Sequence, residues 1–311
     1  MFTFKIHTPV YYEHIFKDTN KELYVSATRK RLAFNNAIQN GDIERANNSG
    51  CQYIVALNEL IDYIEKNRNI TLKKQPFFEW SFGESIHMSP CWKWELSMTY
   101  ASLYDININI VKEQIVSKKF KEALKTIEQA DSYINNILEV IDTWTWKMGD
   151  HVFPTYTEYW QANKKWTSVL KKICTINYGW SKLDLKKKVS ALESIESECQ
   201  TALYQWSKEA NNYYPEKIMN WSRCIRAMFI SKTWWEDEKY GEAIGLLSKW
   251  NPVFKKFIHS NNGTDIISSC LESITKEAIE IKDSYQDWKD RNNTVYFEEI
   301  KYNELPKIIL V

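Results

Sequence analysis

Apolar residues in the central part of this chain recur every three or four positions. That spacing places them on one face of an α-helix, whereas a strand requires strict alternation. One stripe consists of Phe120, Ala123, Leu124, Ile127, Ala130, Ile134, Ile137, Leu138 and Ile141. Two more consist of Leu185, Val189, Leu192, Ile195, Cys199, Leu203 and Trp206, and of Ile267, Leu271, Ile274, Ala278, Ile281, Tyr285 and Trp288. Because each helix must bury its apolar face against another element, we predict a mainly α protein.

One segment fits both the spacing of a strand and the spacing of a helix. Residues 105–110 (DININI) alternate like a strand, yet Leu103, Ile106 and Ile110 also share one helical face. No Gly or Pro lies between Trp92 and Phe120 to end a helix there. We therefore predict a helix through this segment.

The two ends of the chain carry a different pattern. Residues 1–10 alternate apolar and polar side chains, and residues 294–305 carry a further apolar run that ends at Pro306. We predict strands there and place them together, since an isolated edge leaves backbone groups unpaired. The expected architecture is a single domain over residues 1–311. It has extended residues 1–10, a helical body at about 20–291 and an extended segment at 293–308, with the terminal segments forming a small β-sheet.

Two helix starts resemble each other. Residues 119–124 (KFKEAL) and 239–244 (KYGEAI) share the order Lys-aromatic-x-Glu-Ala-aliphatic. In tetratricopeptide-like hairpins the aromatic residue packs on the preceding helix and the small Ala permits close approach. We predict such hairpins in the middle of the chain.

Composition argues against several functional classes. Forty-one basic and forty acidic residues leave a net charge of +1, which argues against nucleic-acid binding. The six Cys and five His show no zinc-ligand spacing, so no metal or other cofactor is expected. Glu84, Ser85 and His87 lack the glycine elbow of a nucleophilic serine, and the chain is not expected to be an enzyme. Neither a signal-peptide pattern nor a run of about 18 apolar residues is present, which favours the cytoplasm.

In order and spacing, four segments resemble the Bro-one domain, the Alix-type helical module of the ESCRT pathway. They are the extended start at residues 2–10, residues 76–80 (PFFEW) with the helix after them, the two Lys-aromatic-x-Glu-Ala starts, and residues 293–308 (NTVYFEEIKYNELPKI). The similarity covers the whole chain. Residues 144–179 depart most from the family pattern, and the chain is shorter than typical members. The coiled-coil arm and proline-rich tail of the larger adaptors are not expected.

The resemblance implies an elongated curved helical domain that binds protein. Members of the family capture the amphipathic C-terminal helix of an ESCRT-III subunit, of the charged multivesicular body protein type, in a hydrophobic groove. The groove position in this sequence matches Leu185, Val189 and Leu192, with Lys186 and Lys188 suited to an acidic partner. A monomer at the endosome or multivesicular body, acting in protein transport, is the implied setting.

Other interpretations stay open at this point. The groove residues equally fit a helix that simply faces the core. The basic runs at residues 29–31 and 186–188 could contact an anionic membrane, and the helical scaffold could bind another protein. A lone domain could also compete with full-length adaptors instead of recruiting ESCRT-III.

Overall fold

The computed structural model of the chain describes residues 4–17, 20–67, 70–82, 85–142, 157–205, 214–260 and 271–301. Contacts divide the chain into two compact units, which are described separately below. Unit 1 comprises Met1–Val111 and Lys125–Lys164, and unit 2 comprises Lys112–Leu124 and Lys165–Val311. That the chain forms one domain stays a prediction.

The described residues are mainly helical, which confirms the fold class expected from the apolar stripes. The helices are α1 (Lys21–Gln39), α2 (Ile43–Lys66), α3 (Trp92–Val116), α4 (Phe120–Asp142), α5 (Thr157–Gly179), α6 (Leu185–Gln205), α7 (Tyr214–Glu236), α8 (Tyr240–Ser260), α9 (Glu272–Asp283) and α10 (Tyr285–Arg291). Residues 105–110 belong to α3, as predicted. The third stripe is divided between α9 and α10 at Ser284, and its first residue, Ile267, lies outside the described residues.

A small antiparallel sheet in unit 1 has the strand order β1-β2-β3. Its strands are β1 (Phe4–Ile6), β2 (Phe78–Phe82) and β3 (Ser85–Ser89). Ile6 pairs with Trp80, and Trp80 pairs with His87. The strand predicted at the N-terminus is therefore confirmed, and its partner is a hairpin that the apolar pattern of residues 76–80 did not reveal.

The C-terminal strand expected at residues 293–308 is wrong over the part that the structure describes. Asn292–Tyr296 forms a π-helical turn, and residues 302–308 lie outside the described residues. The Tyr296 ring stacks on Tyr240 with 3.7 Å between ring centroids. The turn closes where the backbone N–H of Phe297 donates to the carbonyl of Asn292. Aromatic packing thus outweighs the alternating pattern, which alone favours an extended chain.

The chain that follows this turn lies against the start of α8. Glu298 accepts a hydrogen bond from the backbone N–H of Gly241 through its carboxylate, at 2.8 Å. A methyl group on Gly241 would overlap the backbone carbonyl of Glu299, and one on Gly245 would overlap that of Lys301. The two glycines therefore allow the backbone to cross α8 closely.

The predicted similarity of two helix starts is confirmed in unit 2. The turns before α4 and α8 each contain one residue with positive φ, Lys118 at 58° and Glu238 at 63°. Matching hydrogen bonds close them, from Lys119 N to Gln114 O and from Lys239 N to Trp234 O, both at 2.8 Å. This is the Schellman pattern, which ends one helix and lets the next begin within three residues.

A buried polar cluster joins the sheet of unit 1 to its helices. Glu95 on α3 accepts hydrogen bonds from Arg31 on α1 at 2.8 Å, from Tyr53 on α2 at 2.7 Å and from Trp80 on β2 at 2.6 Å. Both charged side chains of this cluster are fully buried. A buried carboxylate needs several donors to offset its lost hydration, and these three provide them.

Candidate protein-binding surface

The first turn of α6 is organised by Asp184. Its carboxylate accepts a hydrogen bond from the backbone N–H of Lys187 at 2.8 Å, which makes Asp184 the N-cap of the helix. That bond, together with the charge of the Lys187 side chain, lowers the pKa of Asp184 below its usual value. Residues 180–182, just before this cap, form a separate 3-10 turn.

Leu185 and Val189 are both partly exposed, one helical turn apart on α6. Leu185 borders an open surface depression of about 370 Å³ between the start of α6 and the end of α7. The depression is lined by Asp184, Leu185, Lys186, Lys187, Thr233, Glu236 and Asp237. Leu192, in contrast, has no exposed surface and belongs to the core between the helices. Of the three predicted groove residues, Leu185 and Val189 are therefore the accessible ones.

The rim of this depression carries charges of both signs. The Lys186 side chain is 78% exposed, and its Nζ lies 3.9 Å from the Asp237 carboxylate on α7. Lys187 is also exposed and pairs with Asp184 on its own helix at 3.0 Å. Exposed pairs at such distances contribute little to stability, so these groups can exchange partners at small cost.

Lys188 has a different environment from its two neighbours. Its ammonium group lies 2.7 and 2.9 Å from the two carboxylate oxygens of Glu277 on α9, and the side chain is only 12% exposed. The same ammonium group sits 5.1 Å from the ring centroid of Trp180, whose indole N–H also donates to Glu277. Lys188 therefore joins α6 to α9 within the chain, and its charge is already paired.

Ion pairs fix the remainder of α6 against α7. Arg223 on α7 donates to Glu196 on α6 at 2.6 Å, and Arg226 approaches the second oxygen of the same carboxylate at 2.8 Å. The hydroxyl of Ser222 donates to the carbonyl of Leu192 at 2.7 Å. These partly buried contacts join α6 to α7 beyond the depression.

Both basic runs seen in the sequence are interrupted in three dimensions. Arg31 is fully buried beside Glu95, so of the run at residues 29–31 only Arg29 and Lys30 remain toward the surface. Lys188 is likewise removed from the second run by Glu277. Each run therefore presents two cations instead of three, which weakens attraction to an anionic membrane.

Metal-ligand clusters and membrane-spanning helices are both absent from the part of the chain that the structure describes. There, no group of three or more His, Cys, Asp and Glu side chains is arranged to hold a metal ion. Within the same residues, every helix is too short or too polar to cross a bilayer. Of the serine and histidine set considered from the sequence, Glu84 lies outside the described residues.

Comparison with known proteins rests on structure alone. No protein-family model matches the sequence, and no curated protein matches it. Solved structures do match with probability 1.00. One, of a Bro1 domain described as the basis for endosomal targeting, gives a TM-score of 0.69 at 10% identity over 97% of this chain and 87% of the other. The chain has the Bro1-domain fold.

Two further structures place the Bro1 fold in known complexes. The ALIX Bro1 domain with CHMP4C matches at a TM-score of 0.69 and 13% identity, covering 90% of this chain and 80% of that one. ALIX with the SIVmac239 PYKEVTEDL late domain matches at a TM-score of 0.72 and 12% identity, covering 99% of this chain and 47% of that one. The Bro1-type fold expected from the sequence is thus confirmed.

Proposed function

We propose that this chain binds the amphipathic C-terminal helix of an ESCRT-III subunit, without catalysing a reaction. The similarity of its fold to the ALIX Bro1 domain, which is known in complex with CHMP4C, carries this proposal. Leu185, which lines the depression, and the partly exposed Val189 one helical turn further along α6 supply the apolar contact that such a helix needs.

In this proposal the partner helix lies across the first turn of α6 and the last turn of α7. Leu185 and Val189 meet its apolar face, and Leu192 supports them from the core. Lys186 meets an acidic side chain of the partner, while Asp237 meets a basic one. Lys188 has a supporting role, since its pair with Glu277 holds α6 in place.

The experiment measures binding of a fluorescent peptide with the sequence of a CHMP4-type C-terminal helix. Replacing both Leu185 and Val189 with Asp is expected to weaken binding by about 1,000-fold or more, because hot-spot changes cost roughly 2–4 kcal/mol each. Lys186→Glu is expected to weaken peptide binding less, by about 3- to 10-fold. This loss of affinity is expected to be larger at low salt than at high salt, because salt screens the charge.

The matched control is Val55→Asp, which changes a valine that is 54% exposed on α2 in unit 1. This variant is expected to bind the peptide like the wild type. Circular dichroism of each variant shows whether the helices are retained. Unchanged peptide affinity in a folded Leu185→Asp, Val189→Asp double variant would remove the site assignment.

The cellular setting follows from this binding. We place the chain in the cytoplasm, at endosomes and multivesicular bodies, where it recruits ESCRT-III or competes with full-length adaptors for the same helix. Affinity capture from lysate with the double variant as control tests the partner. Displacement of an ALIX-type Bro1 domain from the peptide tests competition, and flotation with anionic liposomes tests the alternative of direct membrane binding.

A further inference from the structure

In the part of the chain that the structure describes, the outer edge of the sheet in unit 1 is open at β3. On the other side of the sheet, β1 packs against α1, and both Phe4 and Ile6 are only 2% exposed. Among the residues that the structure describes, β3 pairs with β2 alone. The open edge consists of β3, at Ser85–Ser89. Such an edge is a template for pairing with another strand.

The hydrogen-bond register shows which backbone groups face outward on β3. The carbonyl of Glu79 accepts from His7 on the β1 side, at 3.0 Å. The pair Glu79 and Met88 is therefore one whose backbone groups point away from each other. Met88, and by the period of two Ile86, direct their N–H and C=O groups to the open edge. Within the described residues, neither has a backbone hydrogen-bond partner on that side.

The side chains next to these groups are apolar and exposed. Ile86 is 59% exposed and Met88 is 54% exposed, and both lie on the face of the sheet opposite to the buried Trp80. Phe77, just before β2, is 54% exposed on that same face. Edge strands are normally protected by a charged residue or a proline, but β3 reads Ser-Ile-His-Met-Ser and has neither.

The sequence of β3 suits a second copy of itself as the occupant, because it is symmetric about His87. Ser precedes and follows the central three residues, and an apolar residue flanks His87 on each side. We propose that the open edge pairs antiparallel with β3 of a second copy of this chain, centred on His87. Ile86 then lies opposite Met88 of the other copy, and the reverse, with about four backbone hydrogen bonds between the copies.

This arrangement satisfies the backbone groups that are open in one copy. It continues the sheet as β1-β2-β3 and then β3-β2-β1 of the second copy, and the exposed Ile86 and Met88 side chains become neighbours across the two-fold axis. No Lys, Arg, Asp or Glu in β3 would face its own like charge. The proposed dimer differs from the monomer that the sequence analysis predicts. Since one strand pairing covers less than the roughly 1,200 Å² of a standard interface, the dimer is weak and depends on concentration.

The first test uses the register, which brings residue 87 of one copy opposite residue 87 of the other. In such a non-hydrogen-bonded pair the Cα atoms lie about 4.5 Å apart, within reach of a disulfide. His87→Cys, in a Cys51→Ser background that removes an exposed thiol, is expected to form an oxidised dimer joined at 87–87. Met88→Cys is the matched control and is not expected to join to itself. Absence of the 87–87 peptide by mass spectrometry, or equal cross-linking of both variants, would overturn the register.

The second test blocks strand pairing at the open edge and leaves the hydrogen bonds of the β2–β3 hairpin in place. Met88→Pro deletes only the N–H that faces outward, and a proline is tolerated at an edge strand. In sedimentation equilibrium the wild type is expected to rise from one chain mass toward two with concentration, as is the control Val55→Lys. Met88→Pro and Ile86→Lys are expected to stay at one chain mass while remaining folded. A wild type that stays at one chain mass at every concentration would overturn the proposal, as would unchanged association in both edge variants.

Discussion

The turns before α4 and α8 have the same backbone conformation but different surroundings. Each closes with a residue of positive φ and a hydrogen bond of 2.8 Å from the following lysine, and each continues into a Glu-Ala helix start. At the third residue of the motif, α4 has the exposed Lys121, whereas α8 has Gly241 beneath the carbonyl of Glu299. The motif therefore specifies the turn, and one side chain decides whether another segment can cross it.

Because the chain can cross α8 at Gly241, aromatic side chains pack together at the start of this helix. Trp235 stacks on Trp288 with 4.6 Å between ring centroids, and Tyr240 stacks on Tyr296. These contacts bring the chain after α10 to the helix start, where Glu298 satisfies the N–H of Gly241. The first turn of α8 is thus stabilised by a segment some 57 residues later in sequence.

The largest effect that distinguishes the two turns is expected for Gly241→Ala. Gly to Ala in an exposed helix stabilises by roughly 0.5–1 kcal/mol. Here we expect the opposite sign, a loss of about 1–3 kcal/mol, because the methyl group meets the Glu299 carbonyl. Urea unfolding measures the change, and Lys121→Ala in α4 is the control, expected within about 0.5 kcal/mol of the wild type. A more stable Gly241→Ala variant would make the two turns equivalent.

A smaller effect is expected when the capping carboxylate is removed. Glu298→Ala leaves the N–H of Gly241 without its 2.8 Å acceptor, at a cost of about 1 kcal/mol in the free energy of unfolding. Glu299→Ala changes the adjacent exposed side chain and is expected to leave the free energy of unfolding unchanged. Equal losses in the two variants would show that the carboxylate of Glu298 does not cap α8.

The smallest effect tests whether the two turns share their backbone conformation. Glu238→Gly and Lys118→Gly each relieve a side chain at positive φ, and each is expected to raise the free energy of unfolding by about 0.5–1 kcal/mol. The gain at Lys118 is the smaller one, since its surface pair with Glu272 at 3.0 Å is lost. A loss of stability in both variants would contradict the left-handed conformation.

Sequence reasoning succeeded where one local pattern decides the structure. The stripe from Phe120 to Ile141 predicted α4, and the repeated Lys-aromatic-x-Glu-Ala starts predicted the hairpins. It missed the β2–β3 hairpin, although the two residues Gly83 and Glu84 between alternating runs are a hairpin signal that could have found it.

The candidate site also has a part that the local sequence predicts and a part that it does not. The position of Leu185 and Val189 on α6 follows from the stripe, and both are partly exposed. The pairing of Lys188 with Glu277, 89 residues away, leaves no trace in the local sequence. The burial of Arg31 beside Glu95 is equally a contact between distant segments. The three basic residues at 29–31 therefore suggested more positive surface charge than the structure has.

Photo-cross-linking from position 185 tests the central claim most directly. A photoreactive phenylalanine analogue replaces Leu185 in one variant and Val55 in another, and each is irradiated with a labelled CHMP4-type helix peptide. We expect a covalent adduct at position 185 that unlabelled peptide suppresses, and none at position 55. Saturable peptide binding without an adduct at position 185 would contradict the placement of the partner helix on the first turn of α6.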